Sequence, residues 1–166
     1  MADRDRAKRG FTLVEMLVTL AILAVLASAI MPIAKTAVKR EKEIELQRNL
    51  RLIREAIDAY KKLADEKKIE VEEDSEGYPP DLETLVKGVE VKDASGDSAG
   101  RSRTSGQKIV KFLRRIPRDP MTDSSDWGLR SYQDEPDSTV WGGENVYDVY
   151  TKSNATALDG TKYRDW

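Results

Sequence analysis

The pattern of apolar and polar positions changes character at about residue 32. Residues 11–31 read FTLVEMLVTLAILAVLASAIM, 21 positions with a single charge, Glu15. As a helix rising about 1.5 Å per residue, this stretch is roughly 31 Å long, the thickness of a bilayer's hydrocarbon layer. Beyond Pro32 the pattern turns periodic. Leu46, Leu50, Ile53, Ile57, Tyr60 and Ala64 recur at alternating spacings of four and three, which aligns them on one helix face. The other face carries Glu43, Arg48, Arg51, Arg54, Asp58, Lys61 and Lys62, and solvated charge is the simplest reading of it. In KKLADEKKIEVEEDSEG the stripe gives out and charge takes over, so the helix is expected to end near Glu66. The pattern therefore predicts one helix over 11–66, with a transmembrane span at 11–31 and an amphipathic second half packed on the chain's own sheet.

The remainder, 67–166, reads as a small globular domain. In GYPPDLETLVKG, Pro79 and Pro80 favour a turn and Asp81 is placed to cap a short helix through Val86. Residues 88–107 are rich in Gly, Ser and charge without periodicity, the composition of a surface loop. Their GxxG-like spacings are too weak to imply phosphate binding. KIVKFLRRIPRDP restores apolar residues before Pro117 and Pro120 fix a turn. Two strand-like runs follow, 127–133 and 146–151, separated by the turn residues of DEPDSTVWGG. The fold class these elements predict is α+β: a long N-terminal helix lying on a small C-terminal antiparallel sheet.

Composition removes more functions than it adds. The chain has 166 residues, 39% apolar and 35% charged, enough for one modest domain. A formal net charge of −2 and the lack of a basic stripe with interleaved aromatics argue against a nucleic-acid partner. With neither Cys nor His, thiol nucleophiles, disulfides and imidazole chemistry are excluded. A metal would need oxygen ligands, which favours calcium or magnesium. No Ser/His/Asp set, P-loop or isolated carboxylate pair is present, and Glu72 with Glu73 lies in a solvated charge run. An enzyme is not expected.

The N-terminal ten residues, MADRDRAKRG, place Arg4, Arg6, Lys8 and Arg9 ahead of the apolar span. This predicts a cytoplasmic N-terminus and a translocated remainder, although Lys35, Lys39 and Arg40 on the far side weaken the bias. An ordinary secretory signal is the competing reading, with a small-x-small cleavage site around 27–34. Against it, the apolar run is long and flows into further helical pattern. Glu15 is the anomaly, because a carboxylate in a membrane helix costs roughly 2.5–3.5 kcal/mol. Were the chain cut before Phe11, the new α-amino group of one copy could neutralise Glu15 of a staggered neighbour. The alternative is that Glu15 sits near the headgroups and reaches water.

KRGFTLVEMLVTLAIL resembles the class III signal of type IV pilins and pseudopilins: a basic leader ending in Gly, then Phe, Thr, Leu, an aliphatic residue and Glu. The resemblance implies that a prepilin peptidase removes leader 1–10 by cutting between Gly10 and Phe11 and N-methylates Phe11. It also implies that Phe11, Glu15 and Pro32 serve assembly, Glu15 by setting register and Pro32 by kinking the helix. Farther on, GYPPDLETLV, IPRDP, WGLRSYQ and YDVYTKS follow the order of landmarks in the major pseudopilin of type II secretion systems. The implied function is a structural subunit that polymerises through its N-terminal helix into a periplasmic pseudopilus and drives protein export across the outer membrane. The alternative is a pilin of a surface fibre for adhesion, motility or DNA uptake. The implied partners are further copies of the chain, minor pseudopilins, the prepilin peptidase, an inner-membrane platform and an assembly ATPase. The implied location is a single pass in the inner membrane, with 67–166 in the periplasm.

Major pseudopilins typically hold one calcium ion in the loops after the last strand. The matching stretch is TKSNATALDGTKYRDW, where Asp159 and Asp165 supply carboxylates and Ser153, Asn154 and the Leu158 carbonyl could assist. The loop departs from the Gly- and Asp-rich family pattern, and Asp159-Gly160 also suits a plain tight turn closed over by Tyr163 and Trp166. A second acidic set, Asp119 with Asp123 and Asp126, lacks EF-hand spacing and reads as capped turns.

Overall fold

The computed structural model describes residues 10–92 and 108–166, and the side chains of all of these except 29–32 and 73. The leader residues 1–9 lie outside it, as does most of the predicted loop 88–107. Helix α1 runs Leu13–Asp65, one residue short of the expected end. Its assignment continues without a break through position 32, whose side chain lies outside the described residues. The chain divides into two compact units, Met1–Arg40 and Glu41–Trp166.

In the first unit, the described apolar side chains of α1 face outward all round, from Leu13 and Val14 through Leu26 to Ile33. The most apolar window has a mean hydropathy of 2.5 and none of it is buried. Among the described residues this is one helix long and apolar enough to cross a membrane. Such a surface is stable only against lipid or other apolar chains.

The second unit has its own core, and the predicted stripe builds it. Leu46, Leu50, Ile53, Ile57, Tyr60 and Ala64 are all buried, joined by Ala56. They pack against Ile69, Leu82, Leu85, Leu113, Trp127, Val146, Val149, Ala157 and Tyr163. Helix α2, Leu82–Lys87, starts at Asp81, whose carboxylate accepts the Thr84 N–H at 2.6 Å, the cap anticipated from sequence. It ends at Gly88 with φ +85°, where an added Cβ would lie 2.6 Å from the Val110 carbonyl oxygen. Only glycine satisfies both constraints.

The sheet is smaller and more divided than expected. Strands β1, Val89–Val91, and β2, Lys108–Val110, pair antiparallel, and so do β3, Gly128–Arg130, and β4, Asp148–Tyr150. The last pair falls inside the two predicted runs. The first corrects the reading of 88–107 as wholly loop, because Val89–Val91 is a strand. Its three residues alternate apolar, charged, apolar, too few for periodicity to register. Gly128 is opposite Tyr150 in the β3–β4 register, and a Cβ there would meet the Tyr150 ring at 2.3 Å. The Arg130 guanidinium lies over the same ring at 4.3 Å.

Candidate functional site

At the start of α1, Thr12 precedes the first helical residue, and its hydroxyl oxygen accepts the Glu15 N–H at 3.2 Å. This satisfies one of the free donors of the helix N-terminus. Thr12-Leu-Val-Glu15 is thus the S/T-x-x-E spacing of an N-terminal cap. The spacing is present in the sequence, where it is masked by the rarity of a carboxylate in an apolar run. Farther along, Thr19 and Ser28 donate their hydroxyls back to the Met16 and Val25 carbonyl oxygens, so neither leaves an unsatisfied polar group on the apolar surface.

Gly10 is exposed with open space where a Cβ would stand, and Phe11 is 75% exposed. The Gly10–Phe11 bond therefore lies in accessible, non-helical chain just ahead of α1. Glu15 is exposed in the first turn, where a carboxylate is favoured by the helix dipole. Among the described residues no cationic group pairs with it.

In the C-terminal loop, three of the five residues named for calcium accept side-chain hydrogen bonds from the loop itself. Ser153 Oγ accepts the Ala155 N–H, and Asn154 Oδ1 accepts from the Arg164 guanidinium at 3.3 Å. Asp159 Oδ1 accepts both the N–H and the hydroxyl of Thr161, which holds its carboxyl below the usual carboxylate range. Among the described residues no cluster of three or more acidic side chains is placed to hold a metal. As arranged, Ser153 Oγ, Asn154 Oδ1 and Asp159 Oδ1 accept hydrogen bonds within the chain, whereas the Asp165 carboxylate has no partner among the described residues and lines a different hollow from Asp159.

What fastens this loop comes from the supposedly solvated face of α1. Glu43 Oε1 accepts the Leu158 N–H and the Tyr163 hydroxyl, each at 2.8 Å. Burial, with this bond second, pushes the Tyr163 hydroxyl up to about 12. Arg54 donates to both carboxylate oxygens of Asp148, at 2.7 and 3.3 Å, and to the carbonyl oxygens of Val149 and Trp166. Sequence reading placed both residues among the solvated charges. Their positions flank the apolar stripe, and that offset is the only sequence signal that could have singled them out.

The second acidic set behaves as capped turns. Asp119 is fully buried and its carboxylate accepts the Met121 N–H and the hydroxyls of Thr122 and Thr151. Asp123 pairs with Arg118 and Asp126 with Lys152. Asp119 joins the turn after Pro117 to the end of β4, a role that sequence alone left open.

Compared with known families, residues 5–31 match the prokaryotic N-terminal methylation motif. The match covers residues 5–10 of the basic leader, the Gly10–Phe11 junction, Glu15 and the apolar span. The chain thus carries the N-terminal signal of a type IV pilin-like protein, on the α+β architecture expected for one. No curated protein and no solved structure matches the chain.

Proposed function

We propose that this pilin-like chain is a structural subunit of a type II secretion pseudopilus, matured by cleavage between Gly10 and Phe11 and N-methylation of Phe11. The observation that carries the reading is a carboxylate, Glu15, four residues after Phe11 in an apolar helix surface, with no cationic partner among the described residues. Cutting there leaves the Thr12 cap in the mature chain, so the helix start survives processing. The freed α-amino group of a newcomer and Glu15 of a copy already in place would neutralise each other as apolar surfaces pack, and the pair then sets the register between them.

Assembly of this kind needs a membrane to hold the subunits and a motor to add them. The chain lacks a nucleotide-binding P-loop, so a separate assembly ATPase and inner-membrane platform supply the work. The landmarks GYPPDLETLV, IPRDP, WGLRSYQ and YDVYTKS, in that order, support the secretion rod over a surface fibre. Deleting the gene in its native cell tests this. Loss of exported proteins from the medium, with surface fibres unchanged, is the expected result. Normal export with loss of fibres, twitching or DNA uptake would overturn the pseudopilus in favour of a surface pilus.

A further inference from the structure

We infer that the C-terminal loop is fastened by an anion, the carboxylate of Glu43, where the resemblance to major pseudopilins implies a calcium ion, and that the domain folds and holds without calcium. The inference concerns Glu41–Trp166 alone and stands or falls separately from the filament reading.

The chemistry of the loop's inner face carries the argument. A calcium site presents oxygens around a common point, about six to eight of them. Here the atoms that converge from Leu158 and Tyr163 are an N–H and an O–H, and both aim at Glu43 Oε1. Hydrogens directed at a point call for a negative charge, and a cation there would be repelled by the same dipoles. Glu43 projects from the first turns of the domain's part of α1, and Tyr163 is 1% exposed, so the bond ties a buried ring to the helix.

Three of the side-chain oxygens that would have served an ion are taken up in the loop itself, and the two carboxylates, Asp159 and Asp165, line different hollows. Asp159 holds Thr161, Ser153 holds Ala155, and Asn154 faces the positive charge of Arg164. The loop also closes on its own backbone: Ala157 N–H donates to the Thr161 carbonyl, and Tyr163 N–H donates to the Ala155 carbonyl. Trp166 packs edge-on to Tyr163 at 5.1 Å and donates its indole N–H to the Thr161 hydroxyl. Arg54 supplies a second tie, from the helix to Asp148 and the Trp166 carbonyl. The segment that an ion would order is already closed by these bonds.

The test uses the full chain in detergent. All three tryptophans, Trp127, Trp141 and Trp166, belong to the domain, so their fluorescence follows its thermal unfolding. The same unfolding temperature is expected in chelator-treated buffer and in excess calcium. Glu43→Ala should lower it by about 5 °C, with no recovery on adding calcium. An unfolding temperature that rises with calcium and falls with chelator would overturn the inference. Because Glu43→Ala could fail to fold, limited proteolysis of the unaltered chain provides a second reading. Cleavage within 152–166 unchanged by chelator supports the anion fastening, and cleavage that chelator exposes overturns it.

Discussion

Tyr163 shows how one side chain sets a stability window. Its hydroxyl ordinarily titrates at 10.0 and is pushed up to about 12 in the fold, by burial first and then by the bond to Glu43. The folded state therefore favours the neutral hydroxyl more than the unfolded chain does. This contribution is fully present below pH about 10 and is lost as the pH rises through 10 toward 12. Alkaline unfolding should steepen in that window, and Tyr163→Phe should flatten it; identical alkaline profiles for the two would contradict the assignment. At Gly128 the constraint is steric. The Tyr150 ring lies where a Cβ would stand, so Gly128→Ala should cost about 1–3 kcal/mol in denaturant unfolding, and an unchanged midpoint would refute the close contact. At Asp81, loss of the cap in Asp81→Ala should cost about 1 kcal/mol, read the same way.

Among elements, α1 does two jobs with two kinds of surface, and each was legible to a different degree. The apolar stripe from Leu46 to Ala64 could be read because a 3.6-residue period repeated over five turns leaves little else to fit. The two ties from Glu43 and Arg54 could not, because a charge on a helix looks the same whether it faces water or a loop more than ninety residues away. Strands of three residues are too short to declare a period, which is why β1 was read as loop and the sheet as single. The calcium expectation came with the resemblance to major pseudopilins, and a resemblance does not record which way a loop's donors and acceptors point. At the N-terminus, Glu15 predicts a separation of effects. Glu15→Ala should be cleaved as usual yet lower filament yield by roughly tenfold or more, the scale of leaving one buried charge unneutralised. Normal yield would remove Glu15 from register setting. Gly10 has open space around it, so a bulky substitution leaves the fold alone and should act on processing, visible as full-length precursor in the membrane.

For the molecule as a whole, the two units divide the labour. Met1–Arg40 carries the methylation motif and an apolar helix surface whose described side chains are exposed, and Glu41–Trp166 carries a closed core with its own polar ties. An exposed apolar helix surface of this kind calls for lipid or other apolar chains to cover it. Everything proposed about assembly passes through the cut that frees Phe11. Intact-mass and N-terminal analysis of the protein taken from its native membrane tests that step most directly. The account predicts a chain that begins at N-methylated Phe11 and keeps the whole apolar helix. A chain beginning near Ala29 or later would mean that the apolar stretch is removed as an ordinary secretory signal, and would contradict it.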